Sequence, residues 1–340
     1  MNTYYIGIDL HSDNLHLAMV DQHGKRRRHR KLSCDLEAVL ELIQPEKRRL
    51  KTIAIESTFN WYWLVDGLQN EGYPVVLANP AQMPQYRGLK HSADEDDAWW
   101  LAEMARLDIL PTGYIYPRQT RAVRDLLRRR VLLVRQRTTL LLSFKGLFAR
   151  NFGSKLPLAR LKQMEPSDGR ELFEQPGDQI AATAELELIA AYDRQIQGIE
   201  RKVLAQVKKQ APYRRLQTLP GIGVILGMTI ALESGDITRF KGPGNYASYC
   251  RAVPAKRLSN DKTKGRNNGK SGNKYLAWAF VEAAHCAKRH HADCARFFDR
   301  KKQQRNTSVA TKALAAKLAK AAWWVMKENT DYDPRRMFGS

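Results

Sequence analysis

Acidic residues are scarce relative to basic ones. The 340 residues hold 35 Asp and Glu against 57 Lys and Arg, a formal net charge of +22. So basic a chain is a poor fit to an enzyme of small neutral metabolites and points to a polyanionic partner, with nucleic acid the leading candidate. A membrane surface would attract the same charge, but there is no run of about eighteen apolar residues and no signal peptide before Asp9, so the expectation is a soluble, cytoplasmic protein with no membrane partner. Four cysteines (Cys34, Cys250, Cys286 and Cys294) stand without CxxC spacing, which indicates neither a zinc site nor a disulfide framework. The opening "GIDLHSDNLHLAMVD" could begin an actin-like sugar kinase. The second glycine-rich phosphate loop and the adenosine motif of such a kinase are missing, and the charge argues against a small-molecule substrate.

What is present starts with "YYIGIDLH", an apolar run delivering Asp9 at the end of a strand over residues 4–9. "NLHLAMVD" (14–21) reads as a second strand and "KRRRHRKL" as a basic third, antiparallel after the turn "DQHG". "DLEAVLELIQ" has helical spacing, "KTIAIES" (51–57) is a fourth strand, "WYWLVDGLQNEG" a helix closed by Gly72, and "YPVVLANP" (73–80) a fifth strand. The order β-β-β-α-β-α-β followed by a helix predicts an α/β, RNase H-like N-terminal domain over 1–115.

In that topology Asp9 on the first strand and Glu56 at the end of the fourth stand side by side. "KHSADEDDAWWLAEMARL" adds Asp94 and Asp97, three apart on one helix face, while Glu95 and Asp96 point elsewhere. Four converging carboxylates repel one another unless divalent cations bind between them, and two magnesium ions would clamp a phosphodiester for in-line displacement. Each acid has an ordinary alternative. "SADEDD" could be an acidic helix start capped by Ser92, and Glu56 a surface acid.

Residues 116–212 read as a long-helix, coiled-coil segment. Leu127, Val131, Val134, Thr138 and Leu141 form one seam, with an Arg-rich outer face that includes Arg128, Arg129, Arg130 and Arg135. Ile189, Tyr192, Ile196, Ile199 and Val203 form a second seam within 184–210. Packing within the chain and dimerisation are both open. A mainly α C-terminal domain follows over 213–330, with a tail over 331–340. "LPGIG" there matches a helix-hairpin-helix, whose turn would offer the backbone at Gly221 and Gly223 to phosphate; a plain helix-helix turn competes. From Arg251 to Lys274 eight Lys or Arg face a single acid, Asp261. This stretch, with Arg257, Lys262, Lys264, Arg266, Lys270 and Lys274, reads as a phosphate-binding loop.

In order and spacing, "GIDLH", "IES", "ADEDDA", "LPGIG" and "VPAKRLSNDKTKGRNNGKSGNKYLAWAF" resemble the DEDD transposases of bacterial insertion-sequence family one-ten, in its eleven-eleven subgroup, from Tyr4 to about His291. The resemblance implies a bridge-RNA-guided DNA recombinase of the bacterial nucleoid, with a RuvC-like N-terminal domain, joining donor and target double-stranded DNA. It carries the acidic tetrad onto Asp9, Glu56, Asp94 and Asp97 and a nucleophilic serine onto Ser259, which would form a covalent phosphoserine intermediate. Asn260 stands where many relatives have glycine, and Ser271 in "GKSGN" is a rival serine. A serine hydroxyl needs an activating base or metal, and no histidine lies near Ser259 in sequence. Arg257, Lys262 and Lys264 could stabilise charge on a phosphoryl group.

Neither a zinc finger nor a ribonucleoprotein aromatic pair is present to read bases, and phosphate contacts alone carry no sequence information. A structured non-coding RNA is therefore the expected source of target choice, in a homo-oligomer of two or four chains. The alternatives are a metal-dependent, Holliday-junction resolvase-like nuclease using water, and a structural nucleic-acid-binding protein.

Overall fold

A computed structural model describes residues 2–80, 83, 94–253, 256–259, 262–266 and 271–338, with side chains described outside 254–270. The chain divides into a first unit that runs through Arg118 and also includes Ser271, and a second made of the other described residues.

The first unit opens with an antiparallel meander, β1 (Tyr4–Leu10), β2 (Asn14–Asp21) and β3 (Arg26–Ser33). Helix α1 (Leu36–Ile43), capped by the Asp35 side chain on the Glu37 N–H, and a 3-10 turn (Gln44–Arg49) lead into β4 (Leu50–Glu56). Then come α2 (Tyr62–Asn70), β5 (Val75–Ala78), α3 (Asp94–Arg106) and the two-residue β6 (Thr112–Gly113). The sheet order is β3-β2-β1-β4-β5-β6. Strand β4 runs parallel to β1 and β5 parallel to β4, while the edge strand β6, which the sequence reading did not include, is antiparallel to β5. The mixed α/β N-terminal sheet expected from the element order is thus present.

Period-two alternation explains where the acids go. Ile6, Ile8 and Leu10 face one way into a core with Val39, Ile43, Leu64 and Leu68 of α1 and α2. Small residues face the other way: Gly7 on β1, Ala18 on β2 and Ala54 on β4. Helix α3 lies directly on them, with Ala98, Leu101 and Ala102 buried against the sheet. A Cβ at Gly7 would sit 2.1 Å from the Ala98 carbonyl oxygen and 2.4 Å from the Ala102 nitrogen, so only glycine lets the helix approach this closely. Two residues further along the same face, β1 presents Asp9 and β4 presents Glu56. One helical turn back from Ala98 and Leu101 are Asp94 and Asp97.

The second unit is mostly helical. Helix α4 (Arg118–Phe152), the short α5 (Leu158–Leu161) and α6 (Asp168–Leu172), and α7 (Pro176–Val207) come first. Helices α4 and α7 pack antiparallel within the chain: Arg130 pairs with Glu200 at 2.7 Å, Arg137 with Asp193, and Ser143 donates to Glu185 at 2.6 Å. Of the two expected seams, that on α7 is kept, with Ile189, Ile196 and Val203 buried and Tyr192 and Ile199 half-buried, whereas that on α4 is interrupted at Thr138. Leu127 packs with Val203 and Val207 near one end, and Leu141, Phe144, Leu147 and Phe148 pack with Ala182, Leu186 and Ile189 near the other. Thr138 is exposed. The ion pairs occupy the stretch between, because the arginines interleaved with the apolar residues turn inward wherever an acid on α7 meets them.

Next are α8 (Ala211–Leu216), α9 (Val224–Ser234), α10 (Pro243–Tyr249), the hairpin β7 (Lys256–Ser259) and β8 (Lys262–Arg266), α11 (Lys274–His290), α12 (Ala292–Gln304), α13 (Thr307–Glu328) and α14 (Pro334–Phe338). Their core gathers Tyr246, Phe280, Leu314, Leu318 and Trp323. The segment expected to be a tail folds back: Met337 is buried in this core, Asp331 pairs with Arg215, and the Tyr332 N–H donates to Thr218. Among the described residues no helix is long and apolar enough to cross a membrane.

Candidate nuclease centre and basic hairpin

Asp9 and Asp21 are both buried on the β1–β2 pair, 3% and 1% exposed, and their surroundings are opposite. Asp21 accepts from Arg27 Nε at 2.9 Å and Nη2 at 2.6 Å and from the backbone N–H groups of His23 and Lys25 at 2.9 and 3.0 Å. Burial pushes its carboxyl up, but the Arg27 guanidinium and the two N–H groups outweigh it and hold the group below the usual carboxylate range. Asp9 keeps company of its own sign. Its carboxylate shares a hydrogen bond with Glu56, and Glu56 also feels the charge of Asp97.

The consequence falls on Glu56. Burial, then the hydrogen bond and charge of Asp9, then Asp97 push its carboxyl up to about 8. Two carboxyl groups can share a hydrogen bond only when one of them carries a proton. At neutral pH the cluster therefore holds a proton where a cation could stand.

His11 completes this edge, and the sequence reading missed it. Its Nε2 lies 3.0 Å from Asp9 Oδ2 and 3.5 Å from Asp94 Oδ2. One ligand atom each from Asp9, His11 and Asp94 falls within 4.8 Å of the others. The signal was available: His11 follows Asp9 by two residues, so a continuing strand puts both on one face. Behind it, His16 is the cross-strand partner of Asp9. His16 Nδ1 is 3.3 Å from His29 Nε2, and His29 Nδ1 is 3.5 Å from Glu95. Burial lowers the His16 pKa from its ordinary value. Glu95 also accepts from Trp99 Nε1 at 3.2 Å. It points away from the acid cluster, as its helical position requires. Ser92, a possible cap for α3, lies outside the described residues.

The four acids thus meet on one sheet edge, and the donor set, hard carboxylate oxygens with one imidazole nitrogen, fits a divalent cation.

The basic residues divide differently. Arg128 does not belong to an outward face: its Nε and Nη2 donate to Glu233 on α9 at 2.5 and 2.7 Å, and its guanidinium lies 4.5 Å from the Tyr275 ring centre. Burial pulls the Arg128 pKa down, and Glu233 more than restores it, leaving it raised. Glu233, 2% exposed, also accepts from Asn273 Nδ2 at 2.7 Å. Asn273 Oδ1 in turn caps α11 on the N–H groups of Tyr275 and Leu276. The "GNKY" stretch therefore has a structural reason. Arg130 is likewise paired, with Glu200, whereas Arg129 and Arg135 are exposed.

Gly221 has φ +74°, and a Cβ there would lie 2.2 Å from the Ala283 carbonyl oxygen, so glycine is required by packing on α11 rather than by a ligand. Gly223, just before α9, has open space beside it. The stretch read as a loop forms the β7–β8 hairpin. Ser259 ends β7 and pairs in register with Lys262. Arg257, Lys262, Lys264 and Arg266 lie on the two strands. Asn260, Asp261 and Lys270 fall outside the described residues, Ser271 is partly buried, and Lys274 is exposed at the start of α11.

Comparison with known proteins finds matches to two stretches of the chain. A family model described as a transposase, of the DEDD IS110 type, matches residues 6–152, and another, described as transposase IS116/IS110/IS902 family, matches residues 213–299. The chain is 26% identical to a probable family 20 transposase of Pseudomonas aeruginosa, covering 98% of this chain and 100% of the relative. It is 25% identical to the transposase for insertion sequence element IS1328 of Yersinia enterocolitica, over 97% and 98%. Identity to the transposase for IS1111A of Coxiella burnetii is 23%, over 96% and 90%. With both family models matched in order and these relatives covered nearly end to end, the chain belongs to the IS110/IS116/IS902 family of insertion-sequence transposases.

Proposed function

We propose that this transposase cuts and rejoins DNA with two sets of groups: an RNase H-like carboxylate centre of Asp9, Glu56, Asp94 and Asp97, joined by His11, and a serine nucleophile, Ser259, on the basic hairpin. The observation that carries the reading is the convergence of the acids: Asp9, His11 and Asp94 bring ligand atoms within 4.8 Å of one another, and Glu56 lies against Asp9 and Asp97, which push its carboxyl up. Like charges gathered in this way favour a bound cation, so the cluster is arranged for binding rather than for stability. The sheet order, with one antiparallel and two parallel neighbours about β1 and β4, supports the RNase H-like assignment.

Asp9, Glu56, Asp94 and Asp97 would hold magnesium, with His11 Nε2 beside Asp9 and Asp94. Bound there, the metal supplies Lewis-acid polarisation of a phosphodiester and neutralises charge that develops on its oxygens. On the hairpin, Ser259 Oγ would form a bond to phosphorus as a bridging sugar oxygen leaves, giving a covalent phosphoserine. Arg257, Lys262 and Lys264 stand on the same two strands to offset the added negative charge. The three-part organisation (1–115, 116–212 and 213–330), oligomerisation, and target choice by a bound structured RNA belong to the same proposal. The absence of a base-reading motif supports guidance by RNA.

The test is to trap protein–DNA adducts under denaturing conditions. Wild-type protein yields a covalent adduct and Ser259→Ala yields none. Cleavage without any adduct would favour the resolvase-like reading with water as nucleophile, and an adduct lost only in Ser271→Ala would move the serine.

A further inference from the structure

Phe59 is 81% exposed, more than any other large apolar side chain among the described residues; the next, Ile180 at 72%, belongs to α7 of the second unit. A lone exposed apolar residue is ordinary on a mobile surface loop. Phe59 is placed otherwise, because its loop is tied down on both sides to the candidate nuclease centre. Before it, the Ser57 N–H extends the sheet by donating to Ala78 O at 3.1 Å, and the Thr58 N–H donates to Glu56 O at 2.9 Å. After it, Asn60 Nδ2 donates to the backbone oxygen of His11 at 2.7 Å, and Asn60 Oδ1 accepts from Thr58 Oγ1 at 2.9 Å. The next residue, Trp61, is buried and packs edge-on against Tyr62 with ring centres 4.6 Å apart.

A bare phenyl ring is thus held out on a clamped turn between the strand end bearing Glu56 and the strand end bearing Asp9 and His11. Three residues of chain reach about 10 Å at most, roughly three base steps along a DNA strand. The substrate class of this family is DNA, and the surface within that reach that can cover an apolar ring is the face of a base.

We infer that Phe59 is a wedge that stacks on a base next to the scissile phosphate and unstacks that base step, so that the phosphodiester is turned into the carboxylate centre. The inference rests on the reading of that centre as the site of strand cleavage. Unstacking a step costs free energy, which the ring offsets by replacing the lost base–base contact. The clamped turn means that little ordering is lost when it does so. No base is read by hydrogen bonding, so the wedge positions DNA without choosing its sequence.

The probe is duplex DNA spanning the joined ends of the element, with 2-aminopurine moved one base at a time, mixed with the full-length protein carrying whatever nucleic acid copurifies. In an Asp9→Ala background the strands stay intact and fluorescence is expected to rise several-fold at one or two adjacent positions. Adding Phe59→Ala should abolish that rise and Phe59→Trp should keep it. As single changes, Phe59→Ala should slow cleavage by roughly ten- to a hundredfold while Mn2+ affinity, read by electron paramagnetic resonance, stays at the wild-type value. Fluorescence that persists in Phe59→Ala, or wild-type cleavage by it, overturns the wedge. So does joint loss of cleavage and Mn2+ binding, because Phe59 would then be supporting the carboxylates and not the DNA. The two readings fail separately: strand cleavage that survives Asp9→Ala sinks the carboxylate centre whatever the fluorescence does.

Discussion

Two carboxylates, buried Glu233 in the second unit and half-buried Glu56 in the first, have opposite surroundings. Glu233 accepts from both arms of Arg128 and from Asn273, and these hydrogen bonds fix helix against helix: α4 to α9, and α9 to the start of α11. Glu56 has Asp9 and Asp97 for neighbours and is pushed up to about 8. Burial alone does not say what an acid is for. Where donors saturate it, the acid joins elements together. Where other acids surround it, the protein has kept an arrangement that is unfavourable until a cation arrives.

The widest separation between the two should come from activity. Asp9→Ala, Glu56→Ala and Asp97→Ala are each expected to lower recombination in cells by roughly a thousandfold or more, since each removes part of the cation site. Their melting temperatures should match or exceed that of the wild type because like-charge repulsion is relieved. An active variant that melts early would reverse the comparison at that residue.

At the other carboxylate the effect is on the fold. Arg128→Ala leaves the buried Glu233 charge without the guanidinium that offsets it, and urea unfolding should show a loss of about 3–5 kcal/mol. Arg128→Met combined with Glu233→Leu should recover a large part of it. If Arg128→Ala unfolded like the wild type and only weakened nucleic-acid binding, the residue would return to an outward, phosphate-binding role.

A smaller effect follows from pH. The folded-state pKa of Glu56, about 8, lies above its ordinary value of 4.5, so the folded protein binds the extra proton. Cation-free protein should therefore lose stability as pH rises from about 4.5 to about 8 and then level off. The size should be about 2 kcal/mol, less than the full shift implies because part of the carboxyl is wet. Glu56→Gln should flatten that slope in unfolding curves. In the wild type, Mn2+ affinity should climb through the same interval, as proton and cation compete for one place. A slope unchanged in Glu56→Gln would show that another group carries it.

The smallest effect is expected at Arg129, which is exposed between Arg128 and Arg130. Arg129→Ala should change stability by less than about 0.5 kcal/mol. If the exposed arginines of α4 contact phosphate, it should reduce the salt dependence of nucleic-acid binding. Comparing its salt slope with that of Arg130→Ala, whose arginine is already paired with Glu200, separates free from committed charge on one helix.

Much of this was legible from local pattern. Alternation along "YYIGIDLH" and "KTIAIES" placed Ile6, Ile8, Ile53 and Ile55 in the core and set Asp9 and Glu56 on the opposite face, because side chains on a strand alternate whatever packs on them. The three-residue spacing of Asp94 and Asp97 put both on one side of α3 for the same reason. The net charge of +22 pointed to a polyanion without any geometry. Tertiary structure alone decided which charges were already taken. Arg128, Arg129 and Arg130 are one run of identical letters, yet Glu233 and Glu200, 105 and 70 residues further along the chain, claim two of them and leave the third exposed. Gly7 and Gly221 read as a strand glycine and a turn glycine until α3 and α11 press their backbones against them. His11 acquires its meaning only when β1 and the start of α3 bring Asp9 and Asp94 to the same nitrogen. Periodicity follows from the local geometry of the backbone and can be read along the chain, whereas pairing depends on which distant residues share a place, and only the packed chain determines that.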